Sequence, residues 1–276
     1  MKPDLVLASV RGYSWEQIRP YVISLERTGC TAQKVMIVDQ VSTEAKIELQ
    51  ARAWNVREYI FPAGTMEDFI THHQFIPVVD FLAKTKNDFR YIIKTDVRDI
   101  VFQSDPFVWL AKHNHELVAA HESWRVRDEQ YVSGAWRASS YPPGAVSWLL
   151  NEQTINSGEL AGKPKIMARL WADVLALARP GSNDQSTVNY LLRTPAYKGK
   201  FVISPLDDGW AVCCAPFRTE QFRSEIDFNP ALFTDTIPVF DKAAGMVYTT
   251  TGVPFCIVHM YDRDPEWTKI MQEKYR

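Results

Sequence analysis

The first hundred residues alternate short apolar runs with segments of helical periodicity, and this alternation limits the possible folds more than any other feature. The apolar runs occupy residues 5–8, 35–38 and 91–93, and a further strand is predicted at 57–61. Unbroken apolar strands separated by helices are typical of a parallel sheet covered on both faces. The pattern therefore predicts an α/β fold with a Rossmann-like half at about 1–122, built on a mostly parallel mixed sheet.

The segments between these runs predict helices with recognisable ends. In the first, Trp15 to Leu25 shows apolar residues three to four apart, and Gly29 follows as a C-cap. Ser42 or Thr43 can cap a second helix at 44–53, and a third is predicted at about 66–84.

The second half of the chain is less regular. We expect strands at 117–120, 201–204 and 255–259, and helices at 166–178 and after Asn183, whereas residues 122–165 show no regular pattern. The sequence contains no internal repeat and no flexible linker, so we predict a single domain over 1–276 with an irregular half at about 123–276.

Composition excludes several classes of protein. The hydrophobic fraction of 46% argues against disorder, and 31 basic against 33 acidic residues argue against a nucleic-acid-binding surface. No apolar segment approaches the length of a membrane span, and the N-terminus lacks the apolar core of a signal peptide. The four cysteines form no C-x-x-C, which indicates free, mostly buried thiols and a cytoplasmic location.

Ligands of open α/β sheets bind at the carboxyl ends of the strands. No glycine-rich dinucleotide or P-loop motif occurs there. The end of the first strand offers backbone groups, a guanidinium and an aromatic ring for a base and phosphate, and the end of the second offers a carboxylate for ribose or base. These donor-binding candidates, chosen by position, are Ser9, Val10, Arg11, Tyr13 and Asp39.

The segment 91–107 is the most informative one. A buried strand ends in Asp96 and Asp99, and two carboxylates that leave a buried strand together favour a cation between them. Salt bridges to Lys94 or Arg98 would explain the same residues, and the spacing alone does not decide between the two. Asp105 before Pro106 is predicted to be a helix N-cap.

Four segments in order resemble GT-A glycosyltransferases, particularly those similar to glycosyltransferase families 8 and 77. The aspartate pair followed by Asp-Pro-Phe resembles their D-x-D region, and the others are the segments around Asn156-Ser157-Gly158, Asp184-Gln185 and His259. The resemblance spans nearly the whole chain and implies a single GT-A domain with an acceptor-binding C-terminal half. It also implies a divalent cation held by Asp96, Asp99 and His259, and the imidazole favours Mn²⁺ over Mg²⁺.

One departure concerns the aspartates. The pair reads D-x-x-D, so Asp99 matches the second aspartate of the motif while Asp96 stands one place early, with a local bulge as one way to re-aim it. Asp99 is therefore the firmer of the two expected ligands.

The resemblance also implies which residues contact the donor sugar. Asp184 and Gln185 would face the reacting carbon of a retaining enzyme, although capping alone explains an aspartate at a helix start. Asn156 and Gly158 would contact the donor, or else form an ordinary turn. Arg98 is placed with the donor-binding residues.

The loop at 206–210 is the predicted acceptor site. Asp207, Asp208 and Trp210 combine carboxylates with an indole on which a sugar could stack, although nine tryptophans in the chain weaken the indication. Inversion would need a general base, which Asp207, Asp208 or Glu122 could supply.

The sequence thus predicts a metal-dependent glycosyltransferase of polysaccharide biosynthesis, with a UDP- or GDP-type sugar donor and a glycan or glycoconjugate acceptor. The alternatives are a sugar-phosphate nucleotidyltransferase and a non-catalytic sugar-nucleotide-binding module. Aromatic and basic residues at 267–276 leave peripheral membrane association open, as a weak indication. Nucleic acid is not an expected partner.

Overall fold

The structure is a computed structural model that describes residues 2–60, 74–128, 147–178, 182–218 and 233–276. These residues form eight α-helices and twelve strands. The helices are α1 (Trp15–Arg27), α2 (Thr43–Ala51), α3 (Phe75–Thr85), α4 (Pro106–His113), α5 (Pro164–Ala176), α6 (Asp184–Leu192), α7 (Ala215–Arg218) and α8 (Pro265–Lys274). The strands are β1 (Leu5–Arg11), β2 (Gln33–Asp39), β3 (Asn55–Glu58), β4 (Ile92–Thr95), β5 (Ile100–Phe102), β6 (Leu117–Arg125), β7 (Gln153–Gly162), β8 (Val202–Ile203), β9 (Ala211–Cys213), β10 (Val239–Asp241), β11 (Met246–Tyr248) and β12 (Ile257–His259).

Seven strands form one mixed sheet in the order β3-β2-β1-β4-β7-β6-β8. Neighbouring strands are parallel except that β7 runs antiparallel to both β4 and β6. This arrangement confirms the predicted α/β class with a mostly parallel mixed sheet. Strands from both halves of the chain take part, since β7 and β8 follow residue 122.

Helices cover both faces of this sheet, which explains why the central strand β1 is buried on both sides. In β1, Val6 and Ala8 pack in one apolar cluster with α1, whereas Leu5 and Leu7 pack in another with α5. Successive side chains of a strand point to opposite faces. Each fully buried aliphatic side chain contributes about 1.5–3 kcal/mol, so both faces stabilise the sheet.

The predicted helix ends agree with the structure. Ser42 caps α2 by accepting from Ala45 N (3.1 Å), and Asn183 caps α6 by accepting from Ser186 N (2.7 Å). Asp105 caps α4 through Phe107 N (2.9 Å), as its position before Pro106 predicts. Gly29 follows α1 with φ of 72°, a conformation that glycine adopts without strain. The third predicted helix can be compared with the structure only from Phe75 onward, where it agrees, because residues 61–73 lie outside the described residues.

The expectation that 122–165 lacks regular structure is wrong for its described part. Strand β6 continues to Arg125, and β7 is a ten-residue strand. Sequence periodicity misses β7 because polar and apolar residues are buried along it side by side, Thr154 and Glu159 among them. Its pairing with β6 is also irregular: Ala119 pairs with Leu160, whereas His121 pairs with Ile155, so β7 bulges between these two partners.

A second sheet has three strands in the order β5-β12-β9, and its strand β5 directly follows the D-x-x-D segment. Strand β12 is antiparallel to β5 and parallel to β9. This sheet brings residues near the C-terminus beside the end of β4.

Two further expectations concern the cysteines and the C-terminus. All four cysteines are free, and three of them are buried. Trp267 and Tyr275 are buried in an apolar cluster, so these aromatic residues do not form the exposed membrane-binding surface considered from the sequence. Within the described ranges, no helix has the length and apolar character needed to cross a membrane.

Candidate metal centre

The segment between β4 and β5 is a turn, and it places Asp96 and Asp99 close to one another. Asp96 N donates to Gly158 O (2.8 Å), which ties the start of the turn to β7. Ile100 N faces Val97 O across the turn at 3.4 Å. A turn, instead of the strand bulge expected from sequence, accounts for the D-x-x-D spacing.

His259 reaches the same place from β12. In the antiparallel register with β5 it pairs with Ile100, and Met260 N donates to Asp99 O (2.8 Å). Nε2 of His259 lies 3.5 Å from Oδ1 of Asp99 and 3.9 Å from Oδ2 of Asp96. One ligand atom from each of the three residues fits within 4.8 Å of the others, which is a spacing that can hold a metal ion.

The burial and contacts of His259 also suit a metal ion. The residue is 2% exposed, and within the described residues neither of its ring nitrogens has a hydrogen bond, although Nδ1 lies 2.6 Å from Glu159 and Nε2 faces Asp99. A buried nitrogen without a hydrogen bond costs about 1–3 kcal/mol. A cation bound between Asp96 and Asp99 would coordinate Nε2, so these three residues suit a divalent metal.

Gly158 leaves the room that this arrangement needs. A Cβ atom at this position would lie 2.3 Å from Cε1 of His259 and 2.9 Å from Oδ2 of Asp96. Any larger residue would therefore displace two expected ligands. Gly158 does not lie in an ordinary turn but in the bulged part of β7.

In the metal-free protein, the charges around the centre determine the protonation states of His259 and Asp99. Burial lowers the pKa of His259, but the carboxylates of Glu159 and Asp99 outweigh burial and raise it well above its ordinary value. Burial raises the pKa of Asp99, yet His259, Arg263 and Arg98 together lower it to about 2. A protonated imidazole thus balances the carboxylates in the metal-free protein, and a metal must displace that proton.

Basic side chains also contact the two aspartates. Lys94 is fully buried, and its Nζ lies 3.4 Å from Asp96 Oδ1, which is one of the salt bridges considered from the sequence. Arg263 lies 3.6 Å from Asp99, and Arg98 pairs with Asp262 at 3.2 Å instead of with an aspartate of the centre.

The turn at 262–264 contributes charged side chains to the surroundings of the centre. Arg263 reaches Asp99, and burial with the nearby Asp99 raises the pKa of Asp262. Both residues line the candidate metal centre.

A second polar network lies beside the centre, between β6, β7 and α6. Oε1 of Glu122 accepts from Asn156 Nδ2 (2.9 Å) and from Gln185 Nε2 (3.1 Å). Asn189 joins α6 to β7 through hydrogen bonds with both the N–H and the carbonyl of Ile155. The structure thus brings Asn156 and Gln185 together, as the resemblance implies, and holds them with a buried carboxylate.

Asp184 begins α6 and lies near the same network. Its Oδ2 accepts from Ser157 Oγ (3.0 Å). Burial, with a smaller effect from Asp96, raises the pKa of Asp184 to about 6. A carboxyl group of this kind can be neutral or charged near neutral pH, depending on the charge beside it.

The donor-binding candidates of the first two strands lie at the carboxyl edge of the sheet. Arg11 Nε pairs with Asp39 Oδ2 at 3.1 Å, and Ser9 Oγ donates to Gln74 Oε1. Burial raises the pKa of Tyr13, and the positive charge of Arg98 opposes part of that effect. The side chain of Val10 packs in the core, so only its backbone is available to a ligand.

The predicted acceptor residues are not brought to the centre. They precede β9, whereas His259 pairs with Cys213 at the other end of that strand. Asp207 accepts from Thr250 (2.6 Å to the hydroxyl), and the carbonyl of Asp208 accepts from Trp109 Nε1. The ring of Trp210 is fully buried beside Trp109, so it presents no face to a sugar.

Sequence reasoning missed Glu159 and Arg263, which both contact expected ligands. Glu159 lies in a segment of mixed polarity, so no pattern marks it as a site residue. Arg263 carries no signal either, since charged turns are common on protein surfaces.

The chain matches no protein-family model, and no similar sequence is found among curated proteins.

Proposed function

We propose that the protein is a metal-dependent glycosyltransferase, which moves a sugar from a nucleoside-diphosphate sugar to a hydroxyl acceptor. The observation that carries this proposal is that the buried Nε2 of His259 lies 3.5 Å from Asp99 and 3.9 Å from Asp96, a spacing that can hold a metal ion. The centre follows β4, at the sheet edge where ligands of open α/β folds bind.

Asp96, Asp99 and His259 would hold the cation. Two carboxylates and an imidazole suit Mn²⁺ better than Mg²⁺, which prefers oxygen ligands alone. When bound, the ion would neutralise charge on the diphosphate leaving group. A cation of this kind makes a strongly basic surface unnecessary, in agreement with a net charge of −2.

The nucleotide would lie along the ends of β1 and β2. Arg11 and Asp39, which pair with one another, would offer a guanidinium for phosphate and a carboxylate for ribose or base, and Tyr13 would offer an aromatic ring for the base. The side chain of Arg98 is 42% exposed and can contact phosphate oxygens. We propose a UDP- or GDP-type donor.

The sugar would lie over the network of β7 and α6. Glu122 accepts from the amides of Asn156 and Gln185 and so fixes their orientation at the proposed sugar site. Asp184 or Gln185 would stabilise positive charge at the reacting carbon, and on this basis we favour retention of configuration. A glycan or glycoconjugate is the proposed acceptor, and Asp207, Asp208 and Trp210 are not retained as its binding site. Free, buried thiols fit the cytoplasm as the proposed location.

Product analysis tests this proposal. The protein is incubated with UDP- and GDP-sugars and simple glycosides, with Mn²⁺ or with EDTA, and nucleotide release is followed by chromatography. We expect UDP or GDP release from at least one donor that depends on Mn²⁺ and is lost in Asp99→Asn. Release of pyrophosphate from a nucleoside triphosphate and a sugar phosphate, without any glycosyl transfer, would contradict the proposal and indicate a nucleotidyltransferase.

A further inference from the structure

We propose that Glu159 is a positioning residue of the metal centre, which holds the His259 ring so that Nε2 faces the cation. The inference rests on the metal site of the proposed function and assigns a role to a carboxylate that is not itself an expected ligand.

The geometry separates the two nitrogen atoms of the ring. Oε2 of Glu159 lies 2.6 Å from Nδ1 of His259, whereas Nε2 lies 3.5 Å and 3.9 Å from the carboxylates of Asp99 and Asp96. The two atoms lack hydrogen-bond geometry, but an ionised carboxylate at this distance favours a proton on the nearer nitrogen, Nδ1. The lone pair of a neutral imidazole then lies on Nε2, which is the atom that faces the two aspartates.

The backbone makes this contact rigid. Glu159 lies in β7 opposite Thr95 of β4, the residue that precedes Asp96. Gly158, the preceding residue of β7, packs against Cε1 of the same ring. The ring is therefore held along one edge by two consecutive residues of a single strand.

An ordinary structural role does not explain Glu159. The side chain is fully buried, and across the described part of the chain its one ion pair is with His259. Burying a carboxylate is costly unless it is paired, and a leucine would fill a sheet position between apolar strands at no such cost. The residues that follow it, Leu160 and Ala161, are apolar core residues of this kind.

The test measures affinity for Mn²⁺ alone, by electron paramagnetic resonance of the free ion, in Glu159→Gln and Glu159→Leu. Loss of a carboxylate partner of a metal-binding histidine weakens metal affinity by about 10- to 100-fold. We expect the Kd to rise about 10-fold for glutamine, which keeps a polar oxygen beside Nδ1, and about 100-fold for leucine. Thr154→Val is the matched control: it removes another fully buried polar atom of β7 and should leave the Kd unchanged.

A double-mutant cycle separates positioning from general damage to the fold. In a His259→Ala background, Glu159→Gln should cause no further loss of Mn²⁺ affinity, because its effect passes through the ring. Equal Kd values for wild type and Glu159→Gln, or an undiminished effect in the His259→Ala background, would overturn the inference and leave the proposed function standing. No Mn²⁺ binding by the wild type would overturn both. Circular dichroism in EDTA verifies that each variant is folded.

Discussion

At the scale of single residues, the candidate centre depends on how closely the backbone approaches His259. Gly158 leaves space for the imidazole and for Asp96 in a position where even a methyl group would overlap both. Asp96, Asp99 and His259 come from a turn and a distant strand, so their spacing is sensitive to small displacements. Metal ligands need correct distances to within tenths of an ångström.

Gly158→Ala is expected to weaken Mn²⁺ binding by about 10- to 100-fold, because the new methyl group must displace His259 or Asp96. Calorimetric titration with Mn²⁺ measures the change. Gly162→Ala is the control, since its methyl group would meet the backbone of Glu116 at the other end of β7. That variant should lose stability, by about 1–3 kcal/mol, yet bind Mn²⁺ like the wild type. An unchanged Kd for Mn²⁺ in Gly158→Ala would show that His259 and Asp96 are not ligands of the ion.

At the scale of elements, β7 and α6 together build the part of the site that the sugar would occupy. The bulge in β7 directs Asn156 towards Glu122, and Asn189 fastens the strand to α6. Asp184 stands at the first turn of that helix, where burial and Asp96 oppose its ionisation. Ionisation of Asp184 is therefore less favourable in the folded protein than in the unfolded chain.

Asp184→Asn should stabilise the metal-free protein near pH 7.5 and have little effect near pH 3. The folded pKa of about 6 lies above the ordinary value of 3.8, so the unfolded chain ionises first as pH rises. Wild-type stability consequently falls between about pH 4 and 6, and asparagine avoids that loss, worth about 3 kcal/mol. Urea unfolding in EDTA at both pH values measures the difference. A stabilisation of equal size at both would mean that ionisation of Asp184 is not its cause.

The elements also show what sequence can and cannot predict. The strands β1 and β2 and the caps Ser42, Asp105 and Asn183 follow local rules, and the structure agrees with them. Strand β7 breaks those rules because its buried polar residues serve the site and not the core. Asp96, Asp99 and His259 were predicted together from the resemblance, but Glu159 and Arg263 depend on tertiary contacts that no spacing reveals.

At the scale of the whole molecule, the candidate metal centre joins the two halves of the chain. Asp96 and Asp99 follow the fourth strand, whereas His259 comes from β12 near the C-terminus. Strand β7 supplies Gly158 and Glu159 from between them. A bound cation would therefore cross-link segments that are far apart in sequence and should stabilise the folded state.

The central claim is that this centre binds a nucleoside diphosphate through a metal, and calorimetric titration with UDP and GDP, with and without Mn²⁺, tests it most directly. We expect one of the two nucleotides to bind in the presence of Mn²⁺, with affinity about 100-fold weaker in its absence or in Asp99→Asn. Asp207→Asn, which removes a carboxylate at the far end of β9, should bind like the wild type. Failure of both nucleotides to bind with Mn²⁺ present, or binding by Asp99→Asn with undiminished dependence on Mn²⁺, would contradict the account.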